Sequence, residues 1–396
     1  MRTGSRLTSL ECRACCNQVA ATSPVGTCPT CGQTLFALYD TKDWDGRAWW
    51  GSLAHRPATL WRYRELLPVL DERKIATLGE GFSPMLDLGD VAEAPGVQVV
   101  AKDDGAMPTG SFKARGMAVA VSRAWELGLR ELYVPSAGNA GTALAAYSAR
   151  AGLTARVYLP ERTPGPIQQA IRSYGAEIVR VPGTIREAGE VARAREKGRR
   201  SFDMSTLREP YRVEGKKTMG FEVVEQSGPA GLPDAIVYPA GGGTGLVGMA
   251  KAFRELRSLG ILARTPRLYA VQSAGCAPLV RALDEGATKV TPWPDPHTIA
   301  PGLLVPSPFS SERILEAVRE SRGGGVAVDD RAIVGAMRNL ATQHGVSASP
   351  EAAAPYAALP KLVENGAVRP GERVLLYLTG TGLVFSIDEL ERSLAG

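Results

Sequence analysis

From Val97 onward, short apolar runs alternate with longer segments of helical period that close on glycine. Residues 97–101, 131–134, 155–159, 178–181, 235–238, 268–272 and 374–378 read as strands. Each is a brief run rich in Val, Ile, Leu or Tyr bounded by turn formers. Residues 111–128, 140–152 and 246–259 carry apolar positions at helical spacing and read as helices. Strands that are apolar on both faces and separated by helices predict an α/β chain on a largely parallel sheet. Ligands of such sheets bind outside the carboxyl ends of the strands, so the loops that follow them are where chemistry is sought.

Ahead of this alternation the pattern is different. Residues 41–76 hold four of the six tryptophans, Trp44, Trp49, Trp50 and Trp61, among charges and without a clean period. They read as a linker packed across a larger body. Before them, Cys12-Arg13-Ala14-Cys15 and Cys28-Pro29-Thr30-Cys31 form two C-x-x-C knuckles around a short polar loop. Four thiolates so spaced close a tetrahedral zinc site, with Cys12, Cys15, Cys28 and Cys31 as ligands; Cys16 is an alternative to Cys15. A redox pair needs only one knuckle.

Four loops bear the candidate chemistry. Pro108-Thr109-Gly110-Ser111-Phe112-Lys113 sets a lysine on a Gly-Ser turn where a helical run begins, with Ser111 read as the N-cap. A cation in the first turn opposes the helix dipole, which suits a lysine asked to lose its proton or to condense with a carbonyl. A surface lysine on an amphipathic helix has the same local sequence. After residue 238, Ala240-Gly241-Gly242-Gly243-Thr244-Gly245 opens a helix. Successive N–H groups there converge on one anion, and the helix dipole favours a phosphate. The spacing is neither that of a P-loop nor that of a dinucleotide fingerprint. Ser136-Ala137-Gly138-Asn139-Ala140 stands at another helix start, where small residues around one amide leave room for a planar ligand. Thr379-Gly380-Thr381-Gly382 puts a hydroxyl at a strand end. One lysine, one phosphate cradle, one amide and one hydroxyl are the parts that hold pyridoxal phosphate.

Composition narrows the field. The 396 residues, 44% hydrophobic, allow two domains or more with a sizeable core. Lys and Arg exceed Asp and Glu by 46 to 41, spread without a long basic run, so nucleic acid is not an expected partner. No apolar stretch approaches a membrane span and no signal-like apolar region follows Met1, so the expected location is the cytoplasm. Only His55, His297 and His344 are available and none lies in a nucleophile-base motif, which argues against a hydrolase. His297 reads as part of a loop or lid.

Pro-Thr-Gly-Ser-Phe-Lys, Ser-Ala-Gly-Asn-Ala-Gly, Gly-Gly-Gly-Thr-Gly and Leu-Thr-Gly-Thr-Gly, in this order, resemble the motifs of threonine synthases. Thr77 to Pro84 resembles the family's Gly-Glu-Gly-x-Thr-Pro segment, and Arg212-Val213-Glu214-Gly215-Lys216-Lys217-Thr218 its Arg-x-Glu-Gly-x-Lys-Thr segment. The resemblance runs from about residue 77 to the C-terminus, and an N-terminal zinc ribbon is similar to what some bacterial members carry. It implies a fold type II, tryptophan-synthase-β-like enzyme with two open parallel-sheet α/β subdomains. Residues 1–40 would form the ribbon, 41–76 the linker and 77–396 the catalytic core, with a small subdomain at roughly 115–212 inserted in the large one. A homodimer is expected.

By position, the resemblance makes Lys113 the lysine that carries the cofactor and Phe112 its neighbour against it. Asn139 would bond the ring hydroxyl, Gly241, Gly242, Gly243, Thr244 and Gly245 the phosphate, and Thr379 would face the pyridine nitrogen. Ser136, Ala137, Gly138 and Ala140 would receive the substrate's carboxylate, and Arg212 a phosphate or other remote anion. A surface ion pair is the other reading of Arg212. The sequence departs from the family at Ala137, Ala140 and Ala114, and at Met204-Ser205-Thr206 where Asn-Ser is frequent. The implied activity converts O-phospho-L-homoserine and water to L-threonine and phosphate. The alternatives are β-elimination or β-replacement on serine, threonine or O-phosphoserine, and a catalytically silent regulator that keeps the fold.

Overall fold

The computed structural model describes residues 4–136 and 138–395. Three sheets organise the chain. The first is antiparallel: β1 (Leu7–Cys12) lies between β2 (Gln18–Ala20) and β3 (Leu35–Tyr39). After β4 (Met85–Asp90) and β5 (Gln98–Asp103), a second sheet forms from β6 (Glu131–Pro135), β7 (Thr154–Pro160), β8 (Glu177–Val181) and β9 (Ser201–Asp203). Its order is β8-β7-β6-β9, and every pairing is parallel. The third sheet adds β10 (Ala235–Pro239), β11 (Arg267–Ser273), β12 (Gly324–Val328) and β13 (Arg373–Leu378) to β4 and β5. Its order is β12-β11-β10-β13-β5-β4, parallel except for the edge strand β4.

The residues of β10 are all buried, as are those of β13 from Val374 to Leu378, because helices cover both faces of the sheet. Each of the seven strands expected from the sequence is present to within two residues at either end. Besides the three strands of the first sheet, three more are found that apolar runs did not announce. β4 is a half-exposed edge strand with a register shift between Asp87 and Gly89, and β9 is only three residues long. β12 opens on Gly324 and Gly325 and follows Gly323, where a Cβ would stand 1.9 Å from the Leu268 carbonyl oxygen.

Residues 41–76 pack against the body through a short helix, Gly46–Ser52, and irregular turns, which explains their lack of period. Leu53, Leu60, Tyr63 and Leu66 are fully buried. The polar ends of the tryptophans find carboxylates: Trp49 Nε1 donates to Glu65 at 3.0 Å and Trp61 Nε1 to Glu80 at 2.7 Å.

A buried ionic cluster fixes the helix that follows the Lys113 turn. Arg115, fully buried, donates to Asp104 and to Glu222, and Glu222 also meets Lys102 at 2.9 Å. Burial alone would raise the Glu222 carboxyl, but Arg115 and Lys102 outweigh it and hold it down at about 2. Strand β5 and two helices, Lys113–Glu126 and Arg212–Gly231, are thereby tied together. Among the described residues no helix is long and apolar enough to cross a membrane.

Candidate active site

Helix Lys113–Glu126 begins on the lysine itself, and no side chain caps it. This corrects the expectation for Ser111, which is extended, bridged to Gly380, and carries a fully buried Oγ with no hydrogen-bond partner. The turn is stitched to the loop after β13: Phe112 N donates to the Thr379 carbonyl at 2.9 Å, and Thr381 N to the Gly110 carbonyl at 2.9 Å. Thr109 is left-handed, with φ of 64°, and its Oγ1 is also buried and unpaired. Thr379, buried at the end of β13, is therefore held beside the lysine turn.

The Lys113 amine lies 3.8 Å from the centroid of the Phe112 ring. Burial disfavours its charge, Arg212 repels it and Glu351 opposes both, leaving it pushed down to about 7. A second amine lies over the same ring: Lys216 Nζ, also 3.8 Å from the centroid, donates to the Phe112 carbonyl. Burial, Lys113 and Arg212 push it far below the ordinary lysine range. In the sequence Lys216 stood out only as part of the Arg212–Thr218 segment and was given no site role of its own. Its signal was available, since a lysine four positions after Arg212 shares that residue's helix face.

Two glycines bring that face to the lysine. A Cβ at Gly116 would stand 3.1 Å from the Arg212 carbonyl and 3.2 Å from Lys216 Cε, and one at Gly215 2.1 Å from the Arg115 carbonyl. With side chains at either position the helices would separate. Arg212 is 2% exposed, so the surface ion pair is overturned. Its Nη1 donates to the Met204 carbonyl at 2.6 Å, while its Nε is buried without a partner. Glu209 accepts from the Arg212 backbone N–H, and burial, against the pull of Arg212, raises its carboxyl to about 7.

The glycine loop closes the site from β10. Tyr238 puts its ring 6.1 Å from that of Phe112. Gly243, left-handed with φ of 61°, precedes helix Thr244–Ser258, whose first residue Thr244 is buried. A Cβ would fall 2.1 Å from the Gly302 carbonyl at Gly241 and 2.3 Å from Tyr238 Oη at Gly245, so close packing also requires these glycines. Gly242 is different. A Cβ there would meet only Thr206 Cγ2, at 3.2 Å.

Helix Asn139–Ala151 faces the loop after β13, because a Cβ at Gly380 would stand 3.5 Å from Asn139 Nδ2. Ser136 Oγ accepts from Gly138 N at 3.2 Å and Gly141 N at 3.0 Å, so its hydroxyl is engaged within its own loop. Ala140 sits half-buried in the first turn, and Ala137 lies outside the described residues.

Away from this site, the sulfurs of Cys12, Cys15, Cys28 and Cys31 all lie within 4.8 Å of one another. The two knuckles share a turn: Cys16 N donates to the Cys12 carbonyl and Gly32 N to that of Cys28, both at 2.8 Å. Cys16 takes the left-handed position that Gly32 takes in the other knuckle, and it stays outside the group of four. His297 is in an exposed loop.

Comparison with known proteins bears on this geometry. The family described as "Pyridoxal-phosphate dependent enzyme" matches residues 76–380. The threonine synthase of Methanocaldococcus jannaschii is 35% identical over 356 residues, covering 89% of this chain and 87% of the relative. That of Methanosarcina acetivorans is 34% identical over 374 residues, covering 94% and 91%. Among solved structures, a T.th. threonine deaminase superposes with a TM-score of 0.61 at 29% identity, covering 74% of this chain and 89% of the other.

Proposed function

The chain belongs to the pyridoxal-phosphate dependent enzymes and, among them, to the threonine synthase family, and on that footing we propose that it converts O-phospho-L-homoserine and water to L-threonine and phosphate. It is a lyase of threonine synthase type that works with pyridoxal phosphate. Bound, the cofactor supplies an aldehyde for covalent capture of the amino acid and a ring that spreads the negative charge left at Cα. The residues present fit it. Their support comes from an amine pushed down to about 7, a glycine run at a buried helix start, and the unpaired buried atoms Ser111 Oγ and Arg212 Nε.

One observation carries the substrate reading: the readily neutralised Lys113 amine has Arg212 as its charged neighbour, and that arginine keeps a buried donor unused. A fork of this kind suits a phosphate held in a dry pocket. In the proposal Lys113 would hold the cofactor, and its amine would take the proton from Cα, move protons between Cα and Cβ, and return one to Cα. The carbon–oxygen bond at Cγ breaks to release phosphate, and water adds at Cβ. Arg212 holds the substrate's phosphate until that bond at Cγ breaks. Residues 136–140 receive the carboxylate, Gly241 to Gly245 the cofactor's phosphate, and Asn139 the ring hydroxyl. Phe112 packs against the ring, and Thr379 offers the pyridine nitrogen a neutral hydroxyl, so the ring withdraws electrons less strongly than beside a carboxylate.

Cys12, Cys15, Cys28 and Cys31 hold a structural zinc in the same proposal, supported by the mutual approach of their sulfurs. The N-terminal ribbon, a linker and a two-part core are the domain organisation that goes with it, in a cytoplasmic homodimer. The test is a parallel assay of phosphate release from O-phospho-L-homoserine and of keto-acid formation from threonine. Phosphate release should dominate; keto acid without phosphate release would replace this reading with β-elimination.

A further inference from the structure

The thiol cluster and the glycine loop are joined by one side chain. Thr34, three residues after Cys31 and bridged to Thr27, is only 2% exposed. Its Oγ1 donates to the Leu207 carbonyl at 2.7 Å and lies 2.5 Å from Ser310 Oγ. A hydroxyl can donate and accept at once, so a single threonine serves both contacts.

Both partners are in conformations that side chains other than glycine rarely adopt. Leu207 has φ of 58° and Ser310 φ of 56°. Such backbone persists only where surrounding structure determines it, and it concentrates at ligand sites.

Each of these turns carries a wall of the glycine loop. Leu207 follows Thr206, whose Cγ2 is the neighbour of Gly242, and the same segment includes Met204, whose carbonyl holds Arg212. Ser310 starts helix Ser311–Glu320, whose Ile314 would lie 2.5 Å from a Cβ at Gly243. We propose that Thr34 is a positioning residue for phosphate recognition: its hydroxyl clamps Leu207 and Ser310, and through them sets Met204 behind Arg212, the proposed site of the substrate's phosphate, and Thr206 and Ile314 beside the glycine loop, the proposed site of the cofactor's. The cysteine hairpin is thereby part of the frame of the active site, which deepens the reading of Arg212 and the glycine loop as two phosphate sites and rests on it.

Choice of variant matters. A cavity of about 150 Å³ is bounded by Arg13, Gln33, Thr34, Ser310 and Arg313, so water has room to enter beside an alanine variant. Thr34→Val keeps the volume and leaves the Leu207 carbonyl unpaired. An unpaired buried carbonyl corresponds to roughly five- to 150-fold in an equilibrium, of which part reaches the pocket. Thr34→Val should raise KM for O-phospho-L-homoserine and weaken inhibition by inorganic phosphate, both about five- to tenfold. Turnover at saturation should stay within about twofold, zinc content should be unchanged, and Thr34→Ser should restore KM. Independently of activity, amide exchange of residues 204–209 should be about tenfold faster in Thr34→Val than in wild type. If the valine variant cannot be purified folded, Ser310→Gly, which removes one contact without backbone strain, should raise KM in the same direction. Unchanged KM and amide exchange overturn the proposal, as does a serine variant impaired like the valine one. Wild-type protein that releases no phosphate would instead count against the proposed function, and amide exchange would still decide the role of Thr34.

Discussion

A lysine ammonium at the start of helix Lys113–Glu126 meets the positive end of the helix dipole, a buried setting and Arg212 together, so the folded protein favours the neutral amine. Lys113→Ala should leave the protein folded, by circular dichroism and melting, and abolish turnover; near-wild-type turnover would remove Lys113 from the chemistry. The same setting has a stability signature in cofactor-free protein. Lys113 titrates at about 7 when folded against the ordinary 10.5, so between those values the unfolded chain binds the extra proton. The penalty is therefore full below pH 7 and fades as pH rises toward 10.5. Lys113→Met should raise the melting temperature of the cofactor-free protein, and more at pH 6 than at pH 9; an equal rise at both would contradict the shift. On the proposed reading Arg212→Ala removes a buried arginine-phosphate contact worth roughly 2–4 kcal/mol, so kcat/KM for O-phospho-L-homoserine should fall about thirty- to a thousandfold. The cofactor's spectral response to an unphosphorylated amino acid should persist. Lys113 and Arg212 were legible because each stands in a recognisable local pattern. Glu351 was not, because only the fold carries it to the side of Lys113; Lys216 could be placed on the Arg212 face, but its approach to Lys113 depends on Gly116 and Gly215 letting two helices touch.

At the scale of the element, the sequence announced the interior strands and passed over the marginal ones. β10 and β13 are runs of Val, Ile, Leu and Tyr buried on both faces, whereas β4, β9 and β12 are held by their neighbours rather than by their own apolar pattern. The glycine loop was read as an anion cradle, and the structure gives its glycines different surroundings. Gly241 and Gly243 are required by the backbone, the first against the Gly302 carbonyl and the second by its left-handed φ and by Ile314. Alanine at either should impair folding itself. Gly242 has only a methyl of Thr206 beside it, so a side chain there reports on the ligand's space. Gly242→Val should leave the far-ultraviolet circular dichroism unchanged and lower the cofactor content that survives dialysis. Undiminished cofactor content would place the phosphate elsewhere. The cap expected at Ser111 failed for a related reason: the bridge to Gly380 holds the serine extended, a contact with a loop 269 positions later that local sequence does not encode.

Three sheets meet across the whole molecule, and the smallest has the weakest claim to fold unaided. Its strands are six, three and five residues long. Its apolar residues, among them Leu10, Leu35 and Ala37, share a core with Met117 and Val119 of the lysine helix. Polar contacts pin it as well: Lys251 Nζ donates to the Ala37 carbonyl at 2.7 Å and Arg123 to that of Ala21 at 2.6 Å. Such a hairpin needs a cross-link at its open end, and four converging sulfurs supply one when a zinc ion is bound. Freshly purified protein should contain about one zinc per chain, and a Cys28→Ser, Cys31→Ser variant none. The cofactor should remain, because the attachment proposed at Lys113 and the cradle proposed after β10 belong to strands and helices held by the Arg115–Glu222 cluster and the β10–β13 pairing. Metal analysis alongside cofactor absorbance separates the outcomes. No zinc in fresh wild-type protein would remove the metal, whereas loss of cofactor together with zinc would mean that the hairpin supports the cofactor itself and not only the walls that Thr34 sets.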